Sequence, residues 1–499
     1  FLRREFSIID NNYARGRALH AAGARAFRDL RDFYGRFLMN SVQVRDYKNG
    51  RIHFIGIGGC SMSGLAQILD NMGYTVSGSD QAQSQFTDAL SKRGIPFHIG
   101  HSADYVAGAA LVVYTAAIKP TNVEFAYAKE HGIPMLERSE LLGQISRDYK
   151  TCICVSGCHG KTTITSMLAL ITKDTHLDPT VHVGGMVDFL SGGVRTGGQD
   201  LFITEACEYV RSFMTMHPSY IILNNIDDDH LDYYKDLDEI KQTFLDFTNL
   251  MPPEGVLFAN ADDANTREIL PKVTHEIVTY SVEGHGDYTA EDIAYDELGN
   301  PGFTVCHHGK ALGRIQLHVP GLHNAQNALA CAAICHEVFG LDMAHIDASL
   351  EHYHLAGRRF ELIGERDGVK IFHDYAHHPT EIKACLAAAK KYPHKKMFVL
   401  FQCNSFTRAK TLKEKYALAF EDADTVMMPD IYPGRDIDRG DIHATDVVAR
   451  INAHSHNCVY LPTFADIKAY LLSHWEPGDI VVTLGSGDVN KQQMILLQD

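Results

Sequence analysis

Several features are scarce in this 499-residue chain. Trp occurs once, and the 11 Cys form no C-x-x-C pair, Cys152/Cys154 and Cys331/Cys335 being the nearest groupings. That scatter excludes a small disulfide scaffold and argues against a structural zinc module; free, mostly buried thiols in a reducing compartment fit it better. No apolar run reaches the roughly 18 residues of a membrane span. Positive charge is short as well: 46 Lys plus Arg against 62 Asp plus Glu leave a formal charge of −16. General nucleic-acid binding needs clustered positive charge, so that class is set aside. What is present is a globular composition, 45% hydrophobic and 22% charged. At about 100–200 residues per domain, the length implies two to four domains. The expectation is a soluble, cytoplasmic, multi-domain protein without membrane insertion.

Residues 1–40 hold eight Arg and no Lys, unlike the Lys-containing remainder. Helix formers run through Ala14–Met39, but four carboxylates and a single Ser suit a targeting presequence poorly. A solvated helical extension of unknown role is expected over 1–48. Beyond it the chain opens three times with a strand and a glycine turn. Ile52–Ile57 runs into Gly58-Gly59 and a helical pattern, and further strands are expected at Thr75–Ser79 and Ala110–Thr115. Thr151–Ser156 opens the second segment, with strands at Leu201–Thr204 and Ile221–Leu223. Val369–Asp374 opens the third, with strands at Met397–Phe401, Thr425–Met428 and Asp479–Leu484. Such alternation predicts parallel α/β sheets with ligands at the carboxyl ends of the strands. Domains are placed at 49–149, 150–354 and 355–499.

The second opening carries the strongest chemical signal. Gly157-Cys158-His159-Gly160-Lys161-Thr162-Thr163 lies between a strand and a helix. Backbone N–H groups of such a turn, with the helix N-terminus behind them, can ring phosphates. Lys161 would supply an ammonium to the β and γ oxygens, and the Thr162 hydroxyl can ligate Mg²⁺. Val155 stands where the longer G-x-x-x-x-G-K-[ST] pattern has its first Gly, so a plain β–α turn with a surface lysine stays open. The first glycine turn, Gly56-x-Gly58-x-x-Ser61, is weaker because Ser replaces the third Gly of the dinucleotide fingerprint. Asp80 follows Gly58 by 22 residues, about where an acid reaches a ribose hydroxyl. An NAD-dependent dehydrogenase is therefore one reading, and a tight turn in a parallel sheet another.

Acidic groups follow two strands of the second segment: Glu205-Ala206-Cys207-Glu208, and Asp227-Asp228-Asp229-His230. Glu205 with Thr162 and ATP would make a reasonable Mg²⁺ set, and His230 could serve a second ion or a water. Alternatively, Asp227–Asp229 cap the next helix.

Taken together, these motifs resemble the Mur ligase family. The resemblance rests on Gly56–Gly59 with Met62-Ser63-Gly64, Gly157–Thr163, Glu205–Glu208, Asn225–Asp232, His323-Asn324 with Asn327, Gly357–Glu361 and Asp374–Glu381. It covers roughly residues 45–499, and the order and spacing most resemble the members acting on UDP-N-acetylmuramate and L-alanine. The resemblance implies a Rossmann-like N-terminal domain holding the UDP part of the substrate, through Gly58, Gly59, Ser61, Met62, Ser63 and Asp80. It implies a P-loop ATPase-like central domain with ATP on Gly157–Thr163, Mg²⁺ near Thr162, Glu205 and His230, and Asn324 and Asn327 by the adenine. A Rossmann-like C-terminal domain would add Arg358 and Asp374 to the ATP site, carry the amino-acid pocket and contact substrate through Arg408. Lys161, Glu205, His230 and Arg358 would be catalytic. The implied reaction is ATP-dependent amide formation through an acyl phosphate, in peptidoglycan precursor synthesis.

This chain departs from the family at several places. Gln402-Cys403-Asn404-Ser405-Phe406-Thr407-Arg408 replaces a usual Gln-Pro-His segment, His373 stands for an Asp, and Ile431–Asp436 and Arg211 are atypical. These changes leave a peptide acceptor open beside L-alanine, and a sugar-nucleotide sensor without turnover as a further reading.

Overall fold

The computed structural model describes residues 42–190, 192–354, 359–434 and 436–498. The helix expected within Ala14–Met39 and the candidate Arg358 lie outside them. The chain forms three sheets in sequence order. The first comprises β1 (Arg51–Ile55), β2 (Thr75–Asp80), β3 (Phe97–Ile99), β4 (Leu111–Tyr114) and β5 (Met135–Glu137). Their order is β3-β2-β1-β4-β5, with every neighbouring pair parallel. Ile52, Phe54 and Ile55 have no exposed surface, as expected for a strand covered by helices on both faces. Strand order reverses between β1 and β4, which opens a crevice beyond Ile55.

The central sheet contains β6 (Thr151–Ser156), β7 (Thr180–Val187), β8 (Gly192–Arg195), β9 (Leu201–Glu205) and β10 (Tyr220–Leu223). It continues with β11 (Val256–Asn260), β12 (Glu276–Ser281), β13 (Tyr288–Tyr295), β14 (Pro301–His307) and β15 (Lys310–Gln316). Strand β6 lies between β10 and β9, so the turn after Ser156 is flanked by the turns after Leu223 and Glu205. The helices Lys161–Thr172 and Leu322–Phe339 pack on this sheet, and a run of Ala, Leu, Cys and Ile from Ala328 to Cys335 is fully buried.

The antiparallel strands at the two ends of this sheet, β13–β15 and β8 on β7, are elements the sequence patterns do not predict. Strand β15 is mostly exposed, so neither a continuous apolar run nor a clean alternation marks it. Asp227–Asp229 also cap no helix. The next one, Leu237–Thr248, is capped by Asp236, whose side chain accepts from Glu239 N–H.

The third sheet orders β16 (Glu361–Arg366), β17 (Val369–Asp374), β21 (Ile480–Leu484), β18 (Met397–Phe401), β19 (Thr425–Met428) and β20 (Cys458–Tyr460). Only the β16–β17 pair is antiparallel. All 11 cysteines are free thiols. No helix among the described residues is long and apolar enough to cross a membrane.

Candidate active site

The turn after β6 is braced by the end of β10. Cys158 N–H donates to Asn225 O at 3.1 Å, and His159 N–H to Asn225 Oδ1 at 2.8 Å. Asn224 and Asn225 side-chain amides both donate to His159 O, at 3.0 and 3.1 Å. Gly160 has φ +86°. A β-carbon there would lie 2.5 Å from Asn224 Nδ2 and 2.8 Å from Asn327 Oδ1, so backbone conformation and space both demand glycine.

Lys161 begins the following helix and turns back over the loop. Its ammonium donates to Glu208 Oε2 at 2.9 Å, to Oε1 at 3.2 Å and to Cys158 O at 3.2 Å. Burial would lower its pKa, but the Glu208 charge outweighs this and raises it. For buried Glu208, Lys161 and His230 outweigh the burial penalty and hold the carboxyl below its ordinary range. His230 Nε2 is 3.5 Å from Glu208 Oε1 and 3.7 Å from Asp229 Oδ2. Glu205, ending β9, accepts from Gly184 N–H at 2.7 Å. Its pKa is raised, because burial exceeds the help from Gly184, Lys161 and Thr162. A half-buried carboxylate so weakly compensated, beside a threonine hydroxyl, is an oxygen donor set suited to Mg²⁺. Lys161 therefore faces two acidic sets, Glu205 with Thr162 and Glu208 with Asp229 and His230.

A cavity of about 610 Å³ opens beside the loop, bordered by His159, Gly160 and Thr163. Asn324 and Asn327 line it from the start of the helix Leu322–Phe339, and Asn224 Nδ2 donates to Asn327 Oδ1 at 3.1 Å. The third domain closes the opposite wall with Arg359, Asp374, Thr380 and Glu381. Asp374 accepts from Phe360 N–H at 2.8 Å and Ala376 N–H at 2.7 Å, while burial pushes its carboxyl up.

The same two domains are joined by a polar seam. Thr380 Oγ1 donates to Asp227 Oδ2 at 2.6 Å, and His378 Nδ1 lies 3.3 Å from that oxygen. Lys415 pairs with Asp228, and Arg408 Nη2 with Asp229 at 3.4 Å. His159 bridges Asp227 at 3.2 Å and Glu381 at 3.3 Å. Burial would lower the His159 pKa, but Glu381 and Asp227 raise it to about 10, so the imidazole is charged.

At the first glycine turn, Gly58 N–H donates to Asp80 Oδ2 at 2.8 Å, so one Asp80 oxygen closes the turn itself. Ser61 Oγ lies 3.1 Å from His182 Nε2 on β7, joining the first domain to the second. The Met62 side chain is in the core and Ser63 Oγ donates to Cys60 O at 2.9 Å. Ser63 N–H is also spent, on Gly59 O at 2.9 Å, so Gly58 and Gly59 are what the first domain presents at the entrance to the helix Cys60–Asn71.

The structure also places the atypical residues. Cys403 is fully buried, His373 turns to Thr483 Oγ1 at 3.0 Å, and Arg211 pairs with Asp246 at 2.8 Å. What the sequence did not show is Glu208 as the lysine's counter-ion, a role for Arg359, and the pairing of His159, His378, Thr380, Glu381 and Lys415 across a seam. All but Lys415 sat in quoted motifs, so their positions were legible; their pairing joins distant segments and had no local signal.

Three α/β layers with a phosphate loop facing a cavity between the second and third define a multi-domain nucleotide-binding protein. The comparisons make the class specific. Residues 51–150 match "Mur ligase family, catalytic domain", 155–335 "Mur ligase middle domain", and 358–487 "Mur ligase, glutamate ligase domain". The chain is 46% identical over 463 residues to the UDP-N-acetylmuramate–L-alanine ligase of Acetivibrio thermocellus, covering 92% of this chain and 98% of that one. It is 42% identical to the ligase of the same name from Alkaliphilus metalliredigens, covering 92% and 100%. The crystal structure of the UDP-N-acetylmuramate-alanine ligase of Thermotoga maritima superposes with TM-score 0.73 at 27% identity, covering 90% of this chain and 98% of that one. A murein peptide ligase from Psychrobacter arcticus gives TM-score 0.67 at 25% identity over 90% and 98%. The chain belongs to the Mur ligase family.

Proposed function

We propose that the chain is an ATP-dependent ligase joining L-alanine to the lactyl carboxylate of UDP-N-acetylmuramate. The observation that carries this reading is the phosphate loop, whose His159, Gly160 and Thr163 face Arg359, Asp374 and Glu381 of the third domain across one cavity. ATP supplies the phosphoryl group, with Gly157–Thr163 on its phosphates and Asn324 and Asn327 by its base. A carboxylate oxygen of the sugar nucleotide attacks the γ-phosphorus and ADP leaves. The amine of alanine then attacks the acyl-phosphate carbonyl and gives up a proton, and inorganic phosphate departs. The first step brings two anions together, so cationic Lys161 and Arg359 offset their repulsion and fix the line of attack. Thr162 and Glu205 would hold Mg²⁺, with His230 available to a second ion; bound there, the metal supplies charge neutralisation at the phosphates.

UDP fits the first domain, where Gly58, Gly59 and Ser61 lead into a helix N-terminus suited to a pyrophosphate. Asp80 shapes that turn. The seam across Asp227–Asp229 keeps the third domain over the cavity and water away from the acyl phosphate. An NAD-dependent reading has no use for Lys161, Glu205 or His230 and is abandoned. The substrates place the reaction in the cytoplasm.

A peptide acceptor is the second reading, favoured by the altered segment before Arg408 and the similarity to a murein peptide ligase. The contacts of that segment give no separate reason for a peptide. Cys403 packs inward, Asn404 Nδ2 donates to Ser486 Oγ at 2.9 Å, and Ser405 caps the helix Phe406–Tyr416. Those changes build structure and leave Arg408 on Asp229. The test is ATP-dependent phosphate release with UDP-N-acetylmuramate and a panel of amino acids and peptides. Alanine should be preferred and Lys161→Ala should abolish turnover; preference for a tripeptide would overturn the acceptor, and no turnover with any amine would overturn the ligase.

A further inference from the structure

A second group of potential ligands lies outside the cavity, and the reading above leaves it unused. His307 ends β14, while His336 and Glu337 stand near the end of the helix Leu322–Phe339. One ligand atom from each lies within 4.8 Å of the other two. Tyr288, opposite His307 in the β13–β14 pairing, places its hydroxyl 2.7 Å from His336 Nδ1 and 2.7 Å from Glu337 Oε2.

The proton count at that hydroxyl is decisive. An ionised carboxylate only accepts, so the single phenolic proton goes to Glu337. The phenol oxygen must then accept from His336, which puts the imidazole proton on Nδ1 and leaves the Nε2 lone pair available. A second-sphere hydrogen bond that fixes the tautomer in this way is what orients a metal-binding histidine. The His307 ring is held as well, stacked on Tyr288 with centroids 4.3 Å apart and 13° between planes.

We propose that His307, His336 and Glu337 form a divalent transition-metal site of the zinc type, separate from the ligase centre. Two imidazoles and a carboxylate suit Zn²⁺ and disfavour Mg²⁺, which prefers oxygen alone. Bonds of about 2.0–2.2 Å in a tetrahedral arrangement, with water as the fourth ligand, would require the three side chains to close on the ion. Such an ion would staple the end of the helix to β14. That helix carries Asn324 and Asn327 toward its other end, about 14–20 Å away at 1.5 Å per residue.

The experiment is a Zn²⁺ titration of the full chain against a chromophoric chelator, with saturating Mg²⁺ and ADP to occupy the phosphate-loop groups. One equivalent should bind at micromolar zinc. His307→Gln and His336→Gln should each weaken it at least ~10-fold, and Tyr288→Phe, which removes only the orienting hydroxyl, about 10-fold. Melting curves recorded without zinc identify any variant that fails to fold. Phosphate release at saturating Mg²⁺–ATP should be unchanged. Absence of zinc uptake by the wild-type chain, or wild-type uptake by the two folded histidine variants, overturns the proposal.

Discussion

Gly160→Ala is the most direct probe of the phosphate loop. The perturbation has two separable parts. A β-carbon on a left-handed residue costs roughly 1–2 kcal/mol. It also falls 2.5 Å from Asn224 Nδ2 and 2.8 Å from Asn327 Oδ1, where something must shift. The bond between those two buried amides would be lost, and leaving such groups unsatisfied costs about 1–3 kcal/mol. The sum is about 2–5 kcal/mol, and since the shape of the loop is what nucleotide recognises, it should appear as ATP affinity. At 1.4 kcal/mol per decade, ATP should bind at least ~30-fold more weakly. Gly94→Ala is the control: φ is +79° and nothing lies within 4 Å, so it carries only the backbone part, far from the loop. Calorimetric titration with a non-hydrolysable ATP analogue measures both variants. Binding by Gly160→Ala within about threefold of wild type would refute the claim that this close approach shapes the site.

Three further outcomes are expected. Glu205→Gln should weaken the Mg²⁺ dependence of phosphate release by at least ~10-fold, read from initial rates across a metal titration. Thr380→Val removes the seam's donor to Asp227 and should raise KM for ATP about three- to tenfold with a smaller change in kcat, since a hydrogen bond to a charged group contributes about 1.5–3 kcal/mol before exposure is discounted. The third concerns His159. Its folded pKa, about 10, exceeds the unfolded value, so its ion pairs contribute fully below about pH 6.5 and are lost as pH rises through 10. Urea midpoints should therefore fall between pH 7 and 10, and the fall should be shallower in His159→Gln.

Most of the parallel framework was legible because buried strands are written as short apolar runs. Thr151–Ser156 ends in the turn expected of it, the first strand stops two residues early at Ile55 before its glycine turn, and Lys161 and Glu205 lie on neighbouring turns because β9 pairs with β6. The antiparallel edges escaped notice since β13 and β15 leave much of their surface in water and carry no strong period. Site residues contributed by one strand end were readable; those made by docking were not. Nothing near Asp227 in sequence announces that Thr380 and Lys415, more than 150 positions later, will neutralise its neighbourhood. Even Asp80 shows the limit, because spacing located it but could not tell that one oxygen would be spent on Gly58.

The pairing of Lys161 with Glu208 has a consequence for selectivity among anions. Without nucleotide, the loop's main cation is already matched by a tethered rival, and a tether keeps that rival at high effective concentration. A small oxyanion gains little beyond that one lysine and, being untethered, displaces the carboxylate poorly. A polyphosphate that also engages the backbone ring and the neighbouring cavity can. On the proposed reading, the resting chain would discriminate against orthophosphate, and the lysine would be released to a guest large enough to grip the whole loop.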